Sequence, residues 1–525
     1  ALRSRLLVLV LFALVYLGSA CSPSLQDDAD STHAEAAREM YLTGDYVTLH
    51  VNGIRYLEKA PLPYWAVAFS YRIFGVNEFA VRFPIVLSMG VLVWLAMCWG
   101  MRLGGERAAI YAGLFATTTA GYYLFTRILI PEAILALWIA CAMYCFATAL
   151  EKPEAAWRWY AGYLFLALAV LTKGLLAIVA VACPLLLLVA ITGDWRRWRQ
   201  FRLPSGILLF LLIAAPWHIL AGIRNPRFFW FYFVNEHFLR FLGKRYPKDY
   251  NKLPGSLYWM LHLFWLFPWS LYLPTAVRNA WQRGKSSVSE NERAWETPHR
   301  ESLLLWLWAG GILVFFAFST NQEYYTFPAY FPLVVLLAIA VARDEQTRDT
   351  RWLAISSGVL ACLGLAAASI LAAGLWTSRK LPYVADIGVL LNKPDLSADT
   401  LSMGHMLDLT GQSFAALRLP AVLATLALSL GPSLALILRL RGRQRAATWS
   451  TALSMVLFLI AAHIALGRFE PYLSSKQLAR DIQRQLRPED QVAIYGDQAF
   501  GSSLLFYLRR PVLLGNTMRR IMDCC

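Results

Sequence analysis

Asp27-Asp28-Ala29-Asp30-Ser31-Thr32-His33-Ala34-Glu35 and, further on, Gly53-Ile54-Arg55-Tyr56-Leu57-Glu58-Lys59-Ala60-Pro61 follow directly on an apolar run at 4–21. Acids and bases are packed beside a stretch long enough to cross a bilayer. Charges so close to hydrocarbon are costly, so they usually face a cavity and usually work. Carboxylates beside a lysine suit chemistry between a hydroxyl and a phosphate. The stretch therefore decides how the rest is read: a membrane-embedded protein with a charged site at one interface.

Composition agrees. Of 525 residues 58% are hydrophobic and only 16% charged, with a mean hydropathy of +0.47. A soluble chain carries about a quarter charged residues, so a single soluble core is excluded. The net charge of +16 does not call for nucleic acid, because cytoplasmic loops of membrane proteins are enriched in Lys and Arg. Cys98, Cys141, Cys145 and Cys183 fall inside apolar runs and read as small packing residues. Leu17-Gly18-Ser19-Ala20-Cys21 is a faint lipoprotein-type cleavage pattern. With so many later spans, the first span is expected to stay.

About thirteen runs are long enough to cross a bilayer: 4–21, 84–101, 107–125, 132–149, 157–172, 174–192, 204–222, 256–276, 302–319, 325–342, 352–374, 416–438 and 449–466. With the N-terminus inside, the loops carrying Arg102 and Arg107, Arg196 to Arg202, and Arg439 to Arg445 are all cytoplasmic, as the positive-inside rule requires. The loops 22–83, 223–255 and 375–415 and the tail after 467 then lie outside. Residues 1–466 form the membrane domain, and 467–525 read as a small α/β unit, or part of one. In loop 22–83, Thr32-His33-Ala34-Glu35 is a capping box opening a helix that Gly44 stops. A second helix, near Tyr64 to Phe74, is amphipathic and suits the interface.

The candidate chemistry collects in the outer loops. Asp28 and Asp30 follow the first span, and Glu132 opens the fourth on the same face. Two carboxylates at one interface could orient an acceptor hydroxyl and take its proton. Glu58 and Lys59 place a carboxylate and a cation side by side, next to Arg55 and Tyr56. Lys173 sits between two spans on the outer face, against the charge bias. Loop 223–255 carries Arg224, Arg227, Arg240, Lys244, Arg245, Lys248 and Lys252 around the aromatic run 228–233. A lipid phosphate satisfies both features, since Arg and Lys bind phosphate and aromatic rings settle at the headgroup level. His237 could share a divalent ion with Glu58, if the fold brings them together.

The spaced motifs resemble a known family. They are Ala37-Arg38-Glu39-Met40, Thr43-Gly44-Asp45-Tyr46-Val47, the 52–61 stretch, Phe74 to Pro84, Leu171-Thr172-Lys173-Gly174, Asn235-Glu236-His237-Phe238, and Tyr324-Tyr325 with Pro328. Together they resemble the bacterial glycosyltransferases that include 4-amino-4-deoxy-L-arabinose lipid A transferase, with protein O-mannosyltransferases as distant relatives. The resemblance covers roughly residues 1–345. It implies an all-α polytopic membrane fold of the GT-C type. It also implies transfer of a sugar, with inversion, from a polyprenyl-phosphate donor to a lipid, glycan or protein acceptor on the outer face of the inner membrane. Carried over, the catalytic acids are Asp30, Asp28 and Glu132. Asp30 is favoured in the first loop, because Ala29 stands in one position of the usual acidic pair. The resemblance places Lys59 at the donor phosphate. Arg240, Lys173 and Arg55 are expected to join it there, and Tyr56, Tyr324 and Tyr325 to line the substrate pocket. Glu58 and His237 match a zinc-like metal pair. No nucleotide cofactor is implied, and a monomer is expected. The alternative is a flippase or transporter of lipid-linked sugars. Such a protein would hold its charges near the bilayer midplane, whereas here they cluster at one interface.

Overall fold

The computed structural model describes residues 2–247, 253–288, 297–319, 322–391, 409–496 and 498–515. The membrane part begins with α1 (Leu2–Tyr16). The first outer loop then folds as α2 (Ala29–Thr43), the hairpin β1 (His50–Val51) and β2 (Ile54–Arg55), and α3 (Leu62–Phe74). Next come α4 (Glu78–Thr118), α5 (Ala120–Phe125), α6 (Glu132–Glu151), α7 (Ala156–Lys173), α8 (Leu176–Thr192) and α9 (Leu203–Arg224). A π-helical run, Trp230–Leu239, leads to α10 (Gly255–Trp265), α11 (Leu273–Val288), α12 (Thr297–Phe318), α13 (Phe327–Thr347), α14 (Arg351–Thr377), α15 (Arg418–Leu440) and α16 (Gln444–Leu473). The tail adds α17 (Lys476–Gln485), β3 (Ala493–Tyr495), α18 (Ser502–Leu508) and β4 (Leu513–Gly515).

Eight helices among the described residues are long and apolar enough to cross a membrane. Some expected spans are shorter or broken. The run 256–276 divides at Phe267-Pro268 into α10 and a 3₁₀ turn at Trp269–Tyr272. Two expected spans merge in α4, which bends at Gly105, φ 73°. That left-handed conformation suits glycine.

Burial explains the layers. α13 is wholly enclosed and packs against α4, α6, α11 and α12. In α9, by contrast, Leu208 is 58% and Leu212 64% exposed. An apolar face of that extent belongs against lipid, where the backbone is satisfied within the helix.

The first outer loop departs from expectation at its start. α2 begins at Ala29, ahead of the Thr32 capping box. Glu35 does not reach back to Thr32; it holds Arg38 at 2.5 Å instead. The entry is fixed by the tail: the Asp28 N–H donates to the Ala499 carbonyl at 3.0 Å and to Ser502 Oγ at 2.7 Å. Gly44 ends α2 in the left-handed conformation, as expected. The hairpin turn is Asn52-Gly53, both with positive φ, the signature of a type I′ turn.

The ends of the bundle are chemically separate. At one end Arg102 pairs with Glu151 and Glu301, Arg107 and Arg439 with Glu345, Arg278 with Asp344, and Arg300 with Asp194. At the other lie the outer-loop charges. Lys476 of the tail joins that second end through Glu78, at 2.5 Å.

Candidate active site

A cavity of about 380 Å³ opens where the first outer loop, α6, α7, the π-helical run and α12 meet. Glu58, Lys59, Glu132, Lys173, His237, Arg240, Tyr324 and Tyr325 all line it. Residues far apart in the chain, from Glu58 to Tyr325, thus line one cavity.

Glu132 stands in the first turn of α6, just after Pro131. One of its oxygens forms an ion pair with Lys173, from the last turn of α7. The other, Oε2, is buried without a hydrogen-bond partner among the described residues. An orphan buried carboxylate oxygen is costly, so Glu132 stands beside the cavity with hydrogen-bonding capacity unused. The Lys173 ammonium also sits 4.1 Å from the centre of the Tyr325 ring, a cation–π contact that fixes its position. Gly174 follows with φ +70°, and a side chain there would run into His237 and Tyr232. The Lys-Gly sequence is thus required by close approach of the π-helical run.

The cations form a belt. Glu58 lies 3.4 Å from Lys59 and 3.2 Å from Arg245. Glu236 accepts from Arg245 at 2.6 Å and from Arg240 at 2.8 Å. Burial alone would push the Glu58 carboxyl up, but Lys59, Arg245 and Arg240 together hold it well below the usual carboxylate range. Burial and the neighbouring Glu58 push Glu236 up. The sequence names Arg245 only as one of the cations of loop 223–255 and Glu236 only within the Asn235-Glu236-His237-Phe238 motif, and gives neither a role of its own. Lys248 and Lys252 lie outside the described residues.

Several expected site residues are elsewhere. Asp30 is 1% exposed and does not line the cavity. Its oxygens accept the Leu129 N–H at 2.7 Å and the Gln26 N–H at 3.0 Å, with Arg82 at 3.8 Å. Burial raises its pKa, against the pull of Arg82 and the two amides. It pins the 126–131 loop through Leu129 and stands outside the cavity lining. Asp28 is exposed beside the tail and also lies outside the cavity lining. Arg55 is on the exposed side of the hairpin, and Tyr56 contributes its ring to His33, 6.0 Å away, without lining the cavity.

The pairing of Glu58 with His237 as metal ligands does not fit this arrangement. His237 Nδ1–H donates to the Tyr232 carbonyl at 2.6 Å, and Nε2 accepts the Leu175 N–H at 3.1 Å. Both ring nitrogens are used by main chain, while Glu58 is used by cations. Among the described residues no cluster of three metal-ligating side chains occurs.

A second cavity, of about 460 Å³, adjoins the first through Leu176, Val179, Phe315, Phe316 and Tyr325. It is lined by aliphatic and aromatic residues, with Cys183, Trp306 and Tyr325 the only lining side chains that carry a polar atom. A charged chamber therefore opens beside an apolar one inside a helical bundle.

Comparison with known proteins gives this arrangement a lineage. A family model described as dolichyl-phosphate-mannose-protein mannosyltransferase matches residues 58–220. The undecaprenyl phosphate-alpha-4-amino-4-deoxy-L-arabinose arabinosyl transferase of Aeromonas salmonicida is 31% identical over 376 residues, 69% of this chain and 64% of that protein. The protein of the same name from Pectobacterium atrosepticum is 29% identical over 385 residues, 70% of this chain and 65% of its own length. The chain thus spans a little under two thirds of these relatives. The crystal structure of ArnT from Cupriavidus metallidurans bound to undecaprenyl phosphate superposes with a TM-score of 0.76 at 24% identity, covering 99% of this chain and 87% of that one. The fold is that of a GT-C membrane glycosyltransferase. Within that class, the chain belongs to the bacterial family of the 4-amino-4-deoxy-L-arabinose transferases and their protein-mannosyltransferase relatives.

Proposed function

We propose that the chain transfers a sugar from a polyprenyl-phosphate donor to an acceptor on the outer face of the inner membrane, with inversion at the anomeric carbon. The observation that carries this reading is the juxtaposition of Lys59, Lys173 and Arg240 with the half-unpaired Glu132 in one cavity, beside an apolar chamber. The lipid phosphate is held by Lys59 and Arg240, and the first isoprene units extend into the apolar chamber. Relatives named for undecaprenyl-phosphate aminoarabinose support that donor class. A lipid A-like lipid is the favoured acceptor on the same ground.

In this mechanism the Glu132 carboxylate, whose Oε2 is closed off in this structure, turns toward the cavity so that Oε2 accepts a hydrogen bond from the acceptor hydroxyl. Its oxygen attacks the anomeric carbon as the bond from that carbon to the phosphate oxygen breaks. The proton passes to Glu132, and the electron pair leaves with the phosphate. Charge building on the phosphate is met by the ammonium and guanidinium groups. Opposite charges about 4 Å apart at an effective dielectric near 20 interact by roughly 4 kcal/mol. If felt mainly in the transition state, that amounts to about three decades of rate. No step passes through a metal ion. The one-ended clustering of the charges favours this reading over lipid-linked-sugar transport, which places its site at the midplane.

The test is a purified-protein assay. Undecaprenyl phosphate should be released from its sugar-linked form only when acceptor is present. Lys59→Ala and Arg240→Ala should each weaken lipid-phosphate binding, since truncating one partner of a desolvated pair costs about 2–5 kcal/mol. Unchanged lipid-phosphate affinity in both variants would refute the phosphate site.

A further inference from the structure

His33 is left unexplained by the roles given so far. It sits on the cavity-facing side of α2, 7% exposed. Tyr64, from α3, holds Nδ1 at 2.7 Å through its hydroxyl. The Tyr64 and Tyr56 rings pack against the imidazole at 5.7 and 6.0 Å. Nε2 has no hydrogen-bond partner among the described residues, and it is not sealed off. A side chain clamped on one nitrogen, with the other bare toward a cavity, is built to receive something.

The space before it is small. A recess lined by His33, Lys59, Tyr64, Pro131 and Thr172 leaves about 10 Å³ open, room for roughly one water-sized group. Lys59, assigned above to the donor phosphate, lines the recess, and so does Pro131, which leads directly to Glu132. Whatever fills the recess therefore lies close to both groups assigned to the reaction, within reach of a donor sugar bound there.

We propose that His33 and this recess form the sugar-recognition subsite, with Nε2 hydrogen-bonding one ring hydroxyl of the donor sugar. The inference rests on the glycosyltransferase reading and adds to it the residue that reads the sugar. A hydroxyl fits either imidazole tautomer. If Tyr64 donates to Nδ1, Nε2–H donates to the sugar oxygen; if Tyr64 accepts, Nε2 accepts the sugar O–H. A phosphate oxygen would fit only the first case, and Lys59 already serves it. The charged and titratable groups around the ring are Tyr64, Tyr56, Lys59, Glu58 and Lys173. Burial, and then the Lys59 ammonium, push the imidazole down to about 3, so it stays neutral near pH 7. That suits a hydrogen-bonding role and not a general base, which works best with a pKa near the working pH.

The test uses the full-length purified protein and three lipids: bare undecaprenyl phosphate, and undecaprenyl phosphate carrying 4-amino-4-deoxy-L-arabinose or mannose. His33→Asn keeps a partner for Tyr64 but withdraws Nε2. His33→Gln restores a hydrogen-bonding atom near the Nε2 position. His33→Asn should bind bare undecaprenyl phosphate within about twofold of wild type. It should bind the preferred sugar-bearing lipid roughly tenfold more weakly, the size of one neutral hydrogen bond. His33→Gln should recover most of that loss. Equal weakening toward bare and sugar-bearing lipids would overturn the inference, because it marks a structural role. A fall in kcat with donor affinity unchanged would overturn it in favour of a base. If wild type binds bare lipid phosphate but gains nothing from either sugar, the glycosyltransferase reading fails and the inference fails with it.

Discussion

Arg245 reaches within 3.2 Å of Glu58 while its Nε holds Glu236 at 2.6 Å. One guanidinium thus ties the first outer loop to the π-helical run and keeps two carboxylates from repelling each other. Arg245 is 8% exposed and Glu236 6%, so the pairing is poorly screened. Breaking a buried pair by removing one partner costs about 3–5 kcal/mol. Because Glu58 keeps 27% of its side chain exposed, the lower end applies. Arg245→Ala should lower the melting temperature in detergent and weaken lipid-phosphate binding. Adding Glu58→Gln should recover part of the lost stability, since it removes the uncompensated charge. A double variant less stable than Arg245→Ala would show that the two carboxylates do not act through Arg245.

Glu132 and Asp30 should part company on mutation. Glu132→Gln should reduce transfer by about 10²–10⁴ with the fold and lipid binding retained, since the orphan Oε2 is the atom proposed to take the proton. Asp30→Asn should act on stability instead. Its oxygens hold the Gln26 and Leu129 amides, and an amide replaces only one acceptor. Turnover by the fraction of Asp30→Asn that folds should stay within about tenfold of wild type. A well-folded but inactive Asp30→Asn alongside an active Glu132→Gln would return the role to the first loop.

The sequence made most of this geography legible, and the failures are instructive. Positive-inside bias sorted the loops into two ends. The ion pairs respect that sorting, with Arg439 and Arg107 meeting at Glu345 and Lys59, Glu132 and Lys173 meeting at the cavity. Helix α18, from Ser502, falls within the tail that the sequence reads as an α/β unit. Asp30 is ambiguous in sequence because an acid after the first span looks the same whether it faces substrate or holds a buried loop. Only the Leu129 amide, 99 positions away, distinguishes the cases. His33 was hidden inside a capping-box pattern that does not form. The Asn52-Gly53 turn signal was in plain view and marked the hairpin leading into Glu58 and Lys59.

Metal dependence gives a direct check on His237. With Nδ1 bound to Tyr232 and Nε2 bound by Leu175, a metal would require the ring to turn and abandon two main-chain bonds. Protein stripped with EDTA should keep transfer activity within about twofold. Elemental analysis of the purified protein should find no stoichiometric zinc. Loss of activity on chelation, restored by zinc, would mean that His237 turns toward Glu58 in the working enzyme.

Stability should fall on mild acidification, and His33 should account for part of the fall. Its folded-state pKa is lowered from 6.5 to about 3, through burial and then Lys59. In the unfolded chain it takes up a proton as pH drops through the ordinary value, whereas in the folded protein it does not until near 3. The unfolded state therefore binds more protons across that window, and stability declines as pH falls, by at most about 1.4 kcal/mol per pH unit for one group. His237, also lowered by burial, acts with the same sign. His33→Gln should flatten the decline in melting temperature between about pH 6 and pH 4 without abolishing it. An unchanged slope would place the titration elsewhere.

The final prediction concerns sidedness, on which the proposed reaction depends. The cavity, the 223–255 loop and the tail share one end of the bundle, and Lys476 is joined to it through Glu78. The arginine clusters at Arg102, Arg278, Arg300 and Arg439 share the other end. The positive-inside rule puts those clusters in the cytoplasm, so the cavity end should face out. Thr43, Lys244 and Arg480 are exposed at the cavity end, and Gln200 and Arg441 at the other. In a cysteine-free background, single cysteines at 43, 244 and 480 should react with an impermeant thiol reagent in intact spheroplasts. Those at 200 and 441 should stay protected until the membrane is opened. Labelling of 43 and 244 from opposite sides would separate Lys59 from Arg240 and leave no common phosphate site. Labelling of all three from the cytoplasm would keep the site but remove an outer-face acceptor.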